Sequence, residues 1–474
     1  MKTFQDLQAV LNDEKELKQF LIAVINDHKS SDLYRWAKIG DEYDKQENTT
    51  IMRYQKMLYT ISGKAIRDYI SANHKLPSNY YNRFNVQENQ YLLGNGATFE
   101  KDDTKDKLGI KKYAFDTRLQ KLGKKALTHS VSFGFWNLDH IEAFEVLEFA
   151  PLYDEEDGAL KAGVRFWQIA DNKPLRFTLY EMDGYTEYIK RKTDAEPQIF
   201  MDKRPYKLKV KTSVVDGTEI YDGENYPNFP IVPLWGNQDH TCKIKAWQPK
   251  IDCYDLIESG FANDVDDASM IYWTITNAGG MDDMDLAQFL QHMKTVKAAV
   301  VQDDGAKAEA HTIDVPVTAR ETYLKMLEKD LYKDAMALDT EAIATGNTVA
   351  TAIRAAYEPL NEKTDDFEYC VIEFVQGILE LAGIDDEPTF KRSTIVNQTE
   401  ETTMVLSAAQ YLDNETILKH LPFITSDEVD DILDRLTEEE ATRFAPDEDE
   451  DVNDDGQGTG TDGQETPNDG EESR

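Results

Sequence analysis

The stretch ALDTEAIATGNTVATAIRAA, residues 337–356, joins two long segments of helical periodicity. It is built mainly from Ala, Thr, Asn and Gly, with Asp339 and Glu341 near its start. No nucleophile, metal-ligand set or phosphate cradle is spelled within it. Whatever folds around this linker places a small, polar, flexible surface between two of its longest helices.

Upstream, residues 248–277 read as one long helix. Tyr254, Ile257, Phe261, Val265, Ala268, Tyr272 and Ile275 recur at steps of three or four, and 30 residues make roughly 45 Å of helix. An insert, 278–316, follows with a Gly pair, the acids Asp282, Asp283 and Asp285, a short helix near 286–293 and the strand TVKAAVVQ. A second helix is expected over 318–338 and a third over 348–382, with Thr348 as its cap.

Towards the N-terminus, residues 1–40 carry apolar positions at helical spacing, and 50–96 is expected to be further helix ending at the turn GNG. Between 129 and 215 the texture changes to short aromatic and β-branched runs. DEEDG, DNKP and MDG separate them, which predicts an antiparallel meander. KRPYKLKVK, 203–211, reads as a lysine-bearing edge strand. Residues 398–446 are expected to be helical, capped at Asn414 and Ser426. The last 28 residues hold twelve acids and one Arg and predict disorder. The fold class is α+β, mainly α.

The bulk chemistry narrows function. Net charge is −38 over 474 residues, so the surface repels phosphate backbones and sequence-specific DNA binding is disfavoured. Three cysteines without a CxxC pair suit a reducing compartment. No apolar run of about 18 residues predicts a membrane span, and the N-terminus lacks a secretory h-region.

Catalytic motifs are sparse. SGKA (62–65) and LGKK (122–125) lack the first Gly and the Ser/Thr of a P-loop. HExxH and GxSxG are absent and no two His stand at i, i+4. Asp264, Asp266 and Asp267, or Asp282, Asp283 and Asp285, are candidate Mg²⁺ ligands for nuclease or phosphotransfer chemistry, set against solvated charge in a chain with 90 acids. Trp247 and Trp273 read equally as interface anchors or as core.

Several stretches, in order, resemble the portal proteins of tailed bacteriophages, in the Gram-positive siphophage portal family. They are NHKLPSNYYNRFNVQENQYLLGNG (73–96), the strand pair GVRFWQI…LRFTLYEMDGYTEYI, the run NFPIVPLWGNQDHTCKIKAWQPKIDCYDLIESGFANDVDDASMIYWTI (228–275), ATGNTVATAIRAAYEPL (344–360) and NETILKHLPFITSDEVDDILDRLTEEE. Together they cover most of 50–440. Where the family pattern reads Ser-Gly, this chain has Thr345-Gly346-Asn347-Thr348.

The resemblance implies a ring, usually of twelve subunits, at one capsid vertex of the virion, assembled in the bacterial host cytoplasm. DNA passes along its axis during packaging and ejection. It implies a helical arm (1–45), a wing (46–247), a stem of helices 248–277 and 317–337, and a clip (278–316). A tunnel loop (338–348), a long wing helix with a return strand (349–397), a crown (398–446) and the acidic tail (447–474) complete it. The tunnel loop would present Asp339, Thr340, Glu341, Ala342, Ile343, Ala344, Thr345, Gly346, Asn347 and Thr348 to DNA. Stem packing would use Tyr254, Ile257, Phe261, Val265, Tyr272 and Ile275, and Asp282, Asp283 and Asp285 would lie on the clip.

Implied partners are the chain itself, the terminase large subunit, a head-completion adaptor, and the major capsid and scaffolding proteins. Double-stranded DNA would pass without being gripped. No cofactor, metal or membrane is implied. The alternatives are the Mg²⁺-dependent enzyme above and a non-ring internal virion or scaffold protein.

Overall fold

The computed structural model describes residues 2–59, 63–69, 71–212, 219–268, 272–276, 307–311, 316–341, 350–393, 398–421, 424, 429 and 432–437. The chain divides into two compact units, Met1–Thr394 and Ile395–Arg474.

The first unit begins with α1 (Phe4–Val10), α2 (Glu14–Ser30), α3 (Asp32–Asp44) and α4 (Thr49–Arg53). Each of the first three starts at a side-chain cap. Thr3 accepts from the Asp6 amide, Asp13 from Lys15 and Glu16, and Ser31 from Tyr34. After α4 the expected helix does not continue. β1 (Met57–Tyr59) and β2 (Ala65–Arg67) pair as a hairpin, with Gly63 at φ 78° before β2. Aromatic and β-branched residues around a Gly favour a ribbon there over a helix. The expected helix resumes as α5 (Tyr80–Leu93), followed by β3 (Ala97–Thr98), α6 (Thr104–Leu108) and α7 (Phe115–His129).

The antiparallel meander is present, as β4 (Val131–Asn137), β5 (His140–Glu145), β6 (Phe149–Tyr153), β7 (Leu160–Trp167), β8 (Leu175–Glu181), β9 (Gly184–Lys190) and β10 (Gln198–Arg204). β11 (Lys207–Thr212) pairs with β12 (Glu219–Glu224), and β13 (Ile231–Trp235) joins β4. The strand expected over 203–211 is therefore two. Pro205 has no amide to donate, β10 stops at Arg204, and β11 begins a separate ribbon.

The sheets run β10-β9-β8-β7-β6 and β13-β4-β5, all antiparallel. α1 and α2 lie against the five-stranded sheet, not apart from it. Leu7, Phe20, Leu21 and Val24 pack with Leu152, Val164, Phe177 and Leu179.

Then come α8 (Ile244–Ala268), β14 (Tyr272–Thr276), β15 (Lys307–His311), α9 (Val317–Asp334), α10 (Ala350–Ala382) and β16 (Thr389–Phe390). The helix expected over 248–277 ends at Ala268. Tyr272 and Ile275, expected on its stripe, lie on β14 opposite His311 and Ala308. The run YWTIT is aromatic and β-branched throughout, and a partner strand is within the insert, so sheet pairing prevails over helix there. The expected helix near 286–293 and strand TVKAAVVQ lie outside the described residues.

α10 is the central support. Phe367, Val371, Phe374 and Ile378 at helical spacing are buried among Leu122, Phe133, Ile141 and Leu234 of α7 and the three-stranded sheet. Contact there is close because Gly134 faces Phe374; a Cβ on it would meet the ring at 2.5 Å. Pro359 lies within α10 and leaves one backbone acceptor without its helical donor.

The second unit contains α11 (Gln398–Ala408) and α12 (Asn414–His420). The cap of α12 is Asp413, one residue before the expected Asn414; its carboxylate accepts from the Thr416 amide at 3.1 Å. The expected caps Ser426 and Thr348 and the whole of 438–474 lie outside the described residues.

Candidate functional site

α8 and α9 run antiparallel, and charged residues fix their register at two levels. Lys250 Nζ meets Asp334 Oδ2 at 2.5 Å, and Arg320 pairs with Asp264. Each pair is 14 residues from the other along both helices, about 21 Å.

Of the expected stripe, Tyr254 packs edge-on against Tyr80 at 5.1 Å and joins the core of Tyr80, Phe84, Trp247 and Leu331. Trp247 is thereby a core residue in the protomer. Ile257 is half-buried and lines a groove of about 380 Å³ with Leu256, Gly260, Ala319, Arg320 and Tyr323. Phe261 lies under the Arg320 guanidinium at 5.9 Å, whereas Val265 is 52% exposed. α9 adds exposed Val317, Tyr323 and Met326. Packing is complete at the base of the helix pair and open along its flank.

A polar side of α8 does work that the apolar stripe gives no hint of. Asp255, Ser259 and Asn263 are all buried, at successive four-residue steps. They accept from the amides of Ser78 (2.9 Å), Leu76 (3.0 Å) and His74 (2.7 Å) in turn. Four helical residues rise about 6 Å and two extended residues about 6.6 Å, so a helix face and an extended strand can stay in step. The helix thus substitutes for a neighbouring strand. Asn48 Nδ2 adds a bond to Asp255 Oδ2 at 2.5 Å. Burial pushes the Asp255 carboxyl above its ordinary range, against the pull of the Asn48 and Ser78 hydrogen bonds.

A second buried polar group ties α5 to α10. Glu88, fully buried, meets Lys243 at 2.6 Å and Lys363 at 2.7 Å. Burial pushes the Lys363 ammonium down to about 8, opposed chiefly by the Glu88 carboxylate. Lys363 also lies over the Trp247 ring at 5.2 Å.

The linker that opened the reading begins at a fixed point. Leu338 is buried, and its amide and carbonyl are both bonded to the Gln87 side chain at 2.9 Å. Asp339 Oδ1 accepts from the Glu341 amide at 3.0 Å, and Thr340 and Glu341 are exposed. Of the expected loop, Ala342, Ile343, Ala344, Thr345, Gly346, Asn347 and Thr348 lie outside the described residues, as do Asp282, Asp283 and Asp285.

Of the other acids considered as metal ligands, Asp264 is engaged with Arg320 and Asp266 with His74, and the Asp267 side chain lies outside the described residues. Neither the Asp255 ladder, the Glu88 cluster nor the Gln87 clamp was anticipated. The visible signal was Asp-x3-Ser-x3-Asn on a helix; Glu88, within the mixed run NVQENQYLL, carried none.

The family model described as phage portal protein, SPP1 Gp6-like, matches residues 24–443, beginning inside α2. The portal protein of Bacillus phage SPP1 is 21% identical over 491 aligned residues, covering 93% of each chain. The portal protein of Clostridium phage phiCD119 is 25% identical over 208 residues, 42% of this chain and 46% of that protein. Among solved structures, the neck of a native GTA particle computed with C12 symmetry is similar over 72% of this chain and 89% of that one. The identity is 11% and the TM-score 0.43.

Proposed function

The chain belongs to the SPP1 Gp6-like phage portal protein family, and from that membership we propose that it assembles into a ring, of about twelve copies, at one capsid vertex. Portal proteins of this family are structural. The ring is the conduit for DNA in packaging and ejection and the docking site for the terminase large subunit and a head-completion adaptor. Major capsid and scaffolding proteins are its further partners, assembly takes place in the host cytoplasm, and the ring resides in the virion. The chain has no active site of its own in this reading.

α8 and α9 are proposed as the stem, 278–316 as the clip, and 338–348 as the tunnel loop. Residues 46–247 and α10 form the wing, and 398–446 the crown. One observation carries the assembly reading. The α8–α9 pair is locked by ion pairs at both levels, yet Val265, Tyr323 and Met326 along its flank stay exposed. Such a flank is covered when copies pack head to tail and close on themselves. A chain of net −38 suits a tunnel that passes DNA, because its wall repels phosphates over a range of about 8 Å at physiological salt.

Native mass measurement and end-on electron micrographs test this. Particles with a central channel are expected, at about 650 kDa for twelve chains of 54.2 kDa. Monomers or solid particles across a salt series would remove the ring reading. Incubation with DNA and Mg²⁺, comparing Asp264→Ala and Asp266→Ala, tests the enzymatic alternative, and cleavage lost in those variants would favour it.

A further inference from the structure

In a chain of net −38, residues 48–67 hold four cations, Arg53, Lys56, Lys64 and Arg67, and no acid. Arg53 closes α4, and the other three cations stand at or within the β1–β2 hairpin. Met57 stands opposite Arg67, Leu58 opposite Ile66 and Tyr59 opposite Ala65, and the Asp68 amide donates to Lys56 O at 2.9 Å. Among the described residues the ribbon has two strands. All three residues of β2 are exposed, and Met57 and Ile66 are 43% and 44% exposed. Met52 and Tyr54 before it and Tyr69 after it are also open, Tyr69 to 80%.

A two-stranded ribbon lacking a covering layer is marginal in water. Exposed apolar residues gathered within one short segment mark an interaction surface. Its two ends are nevertheless fixed. Asn48 is tied to Asp255, and the chain beyond Asp68 runs into the ladder on α8. The hairpin is therefore an arm held at its root and open at Met57 and along β2.

A face of opposite sign exists elsewhere on the same chain. Glu362, Tyr369 and Glu373 lie within about 20° of one line along α10, and all three are exposed, Tyr369 to 65%. A groove of about 460 Å³ opens beside them, lined by Gln238, His240, Tyr369, Cys370 and Glu373.

We propose that the basic β1–β2 arm of one copy docks on the acidic α10 face around Tyr369 of a second copy. Charge complementarity favours this occupant, since a partner identical to this chain is strongly acidic overall. The exposed apolar residues favour protein over nucleic acid: phosphates would neutralise the cations but leave Met57 and Ile66 in water. Two different patches on one chain make a head-to-tail contact, the kind that closes into a ring. The inference rests on the ring reading above and names one of its contacts.

The test uses the full-length chain and two charge reversals, Lys64→Glu with Arg67→Glu on the arm and Glu362→Lys with Glu373→Lys on the face. Circular dichroism melts establish that each variant is folded, and native mass over a dilution series gives the concentration of half-assembly. Each double reversal is expected to raise that concentration about tenfold or more, and all four together to return it to within about threefold of wild type.

Rings that form equally well with the reversed arm overturn the docking while leaving the ring reading intact. So does a combined variant no better than the worse of its parents. A wild-type chain that stays monomeric at every concentration overturns both. Arm variants that assemble normally but lose retention of a fluorescent duplex would assign the arm to nucleic acid instead.

Discussion

Arg320 of α9 pairs with Asp264 of α8 at a level 14 residues from the Lys250–Asp334 pair on both helices, so two charge contacts of opposite direction set one antiparallel register. Along α8 the order is cation then anion, and along α9 it is cation then anion again. A slipped or parallel pairing would bring like charges together or leave both pairs unmade. Arg320→Glu is expected to cost about 1–2 kcal/mol in urea unfolding at fixed protein concentration. The pair is about a third exposed, which limits its worth, and the reversal adds repulsion. Adding Asp264→Arg should return most of the loss. A double variant no more stable than Arg320→Glu alone would show that the pair does not set the register.

Much of this architecture was legible because apolar spacing is a direct record of burial. The 3.6-residue stripe of α10, from Phe367 to Ile378, and the alternating strands between 131 and 190 each announced their element. What stayed hidden were elements decided by a partner distant in sequence. β14 became a strand because Lys307–His311 pairs with it, although its Tyr272 and Ile275 also continue a helical stripe. Polar contacts were hidden for the same reason. Asp255, Ser259 and Asn263 read as the wet side of a helix until the chain at 74–78 is laid against them. The family resemblance came through local motifs, which survive where distant polar pairing leaves no periodic trace.

The ladder on α8 gives a sharp expectation. Asp255→Ala removes the acceptor for the Ser78 amide and for Asn48 Nδ2, both in a buried site. Stranding two donors should cost roughly 2–4 kcal/mol. Hydrogen exchange at Leu76 and Ser78 should accelerate before exchange in α7 does. Asp255→Asn keeps one acceptor oxygen and should lose less. Equal losses from the two substitutions would mean that packing volume, not hydrogen bonding, holds the segment.

The Gln87 clamp on Leu338 is the last fixed point before the proposed tunnel loop. Gln87→Ala deletes both bonds and should cost about 1–2 kcal/mol locally. Amide exchange across 338–341 is expected to rise several-fold, with that of the sheet strands unchanged. Unaltered exchange at Leu338 would show that its burial alone suffices to hold it.

Lys363 supplies a pH dependence with a definite sign. Its folded value, about 8, is below the 10.5 of an unfolded lysine, so between those limits the unfolded chain binds more protons. Stability then rises with pH across that window and levels off below about 8, where both states hold the proton. Against the non-titrating Lys363→Met, wild type should gain about 2 kcal/mol between pH 8 and pH 10. Lys243, which shares Glu88 with Lys363, is present in both proteins and drops out of the comparison to first order. Parallel stability curves for the two proteins would mean that Lys363 keeps its charge on folding at no cost.

The loop itself is tested by changing what it offers to phosphates. Residues 342–348 comprise small, hydroxyl, amide and aliphatic side chains and no cation. A wall of that composition can approach a duplex without gripping it, whereas a guanidinium takes phosphate oxygens in bidentate fashion. Repeated around a ring, one added Arg per subunit would present a belt of cations to DNA carrying one charge per about 1.7 Å. Asn347→Arg is therefore expected to leave ring assembly and native mass unchanged while slowing packaging several-fold, with the defect eased at higher salt. Asn347→Gln, which keeps a neutral amide, should package like wild type. Equal packaging by the Arg and Gln variants would place this loop away from the DNA.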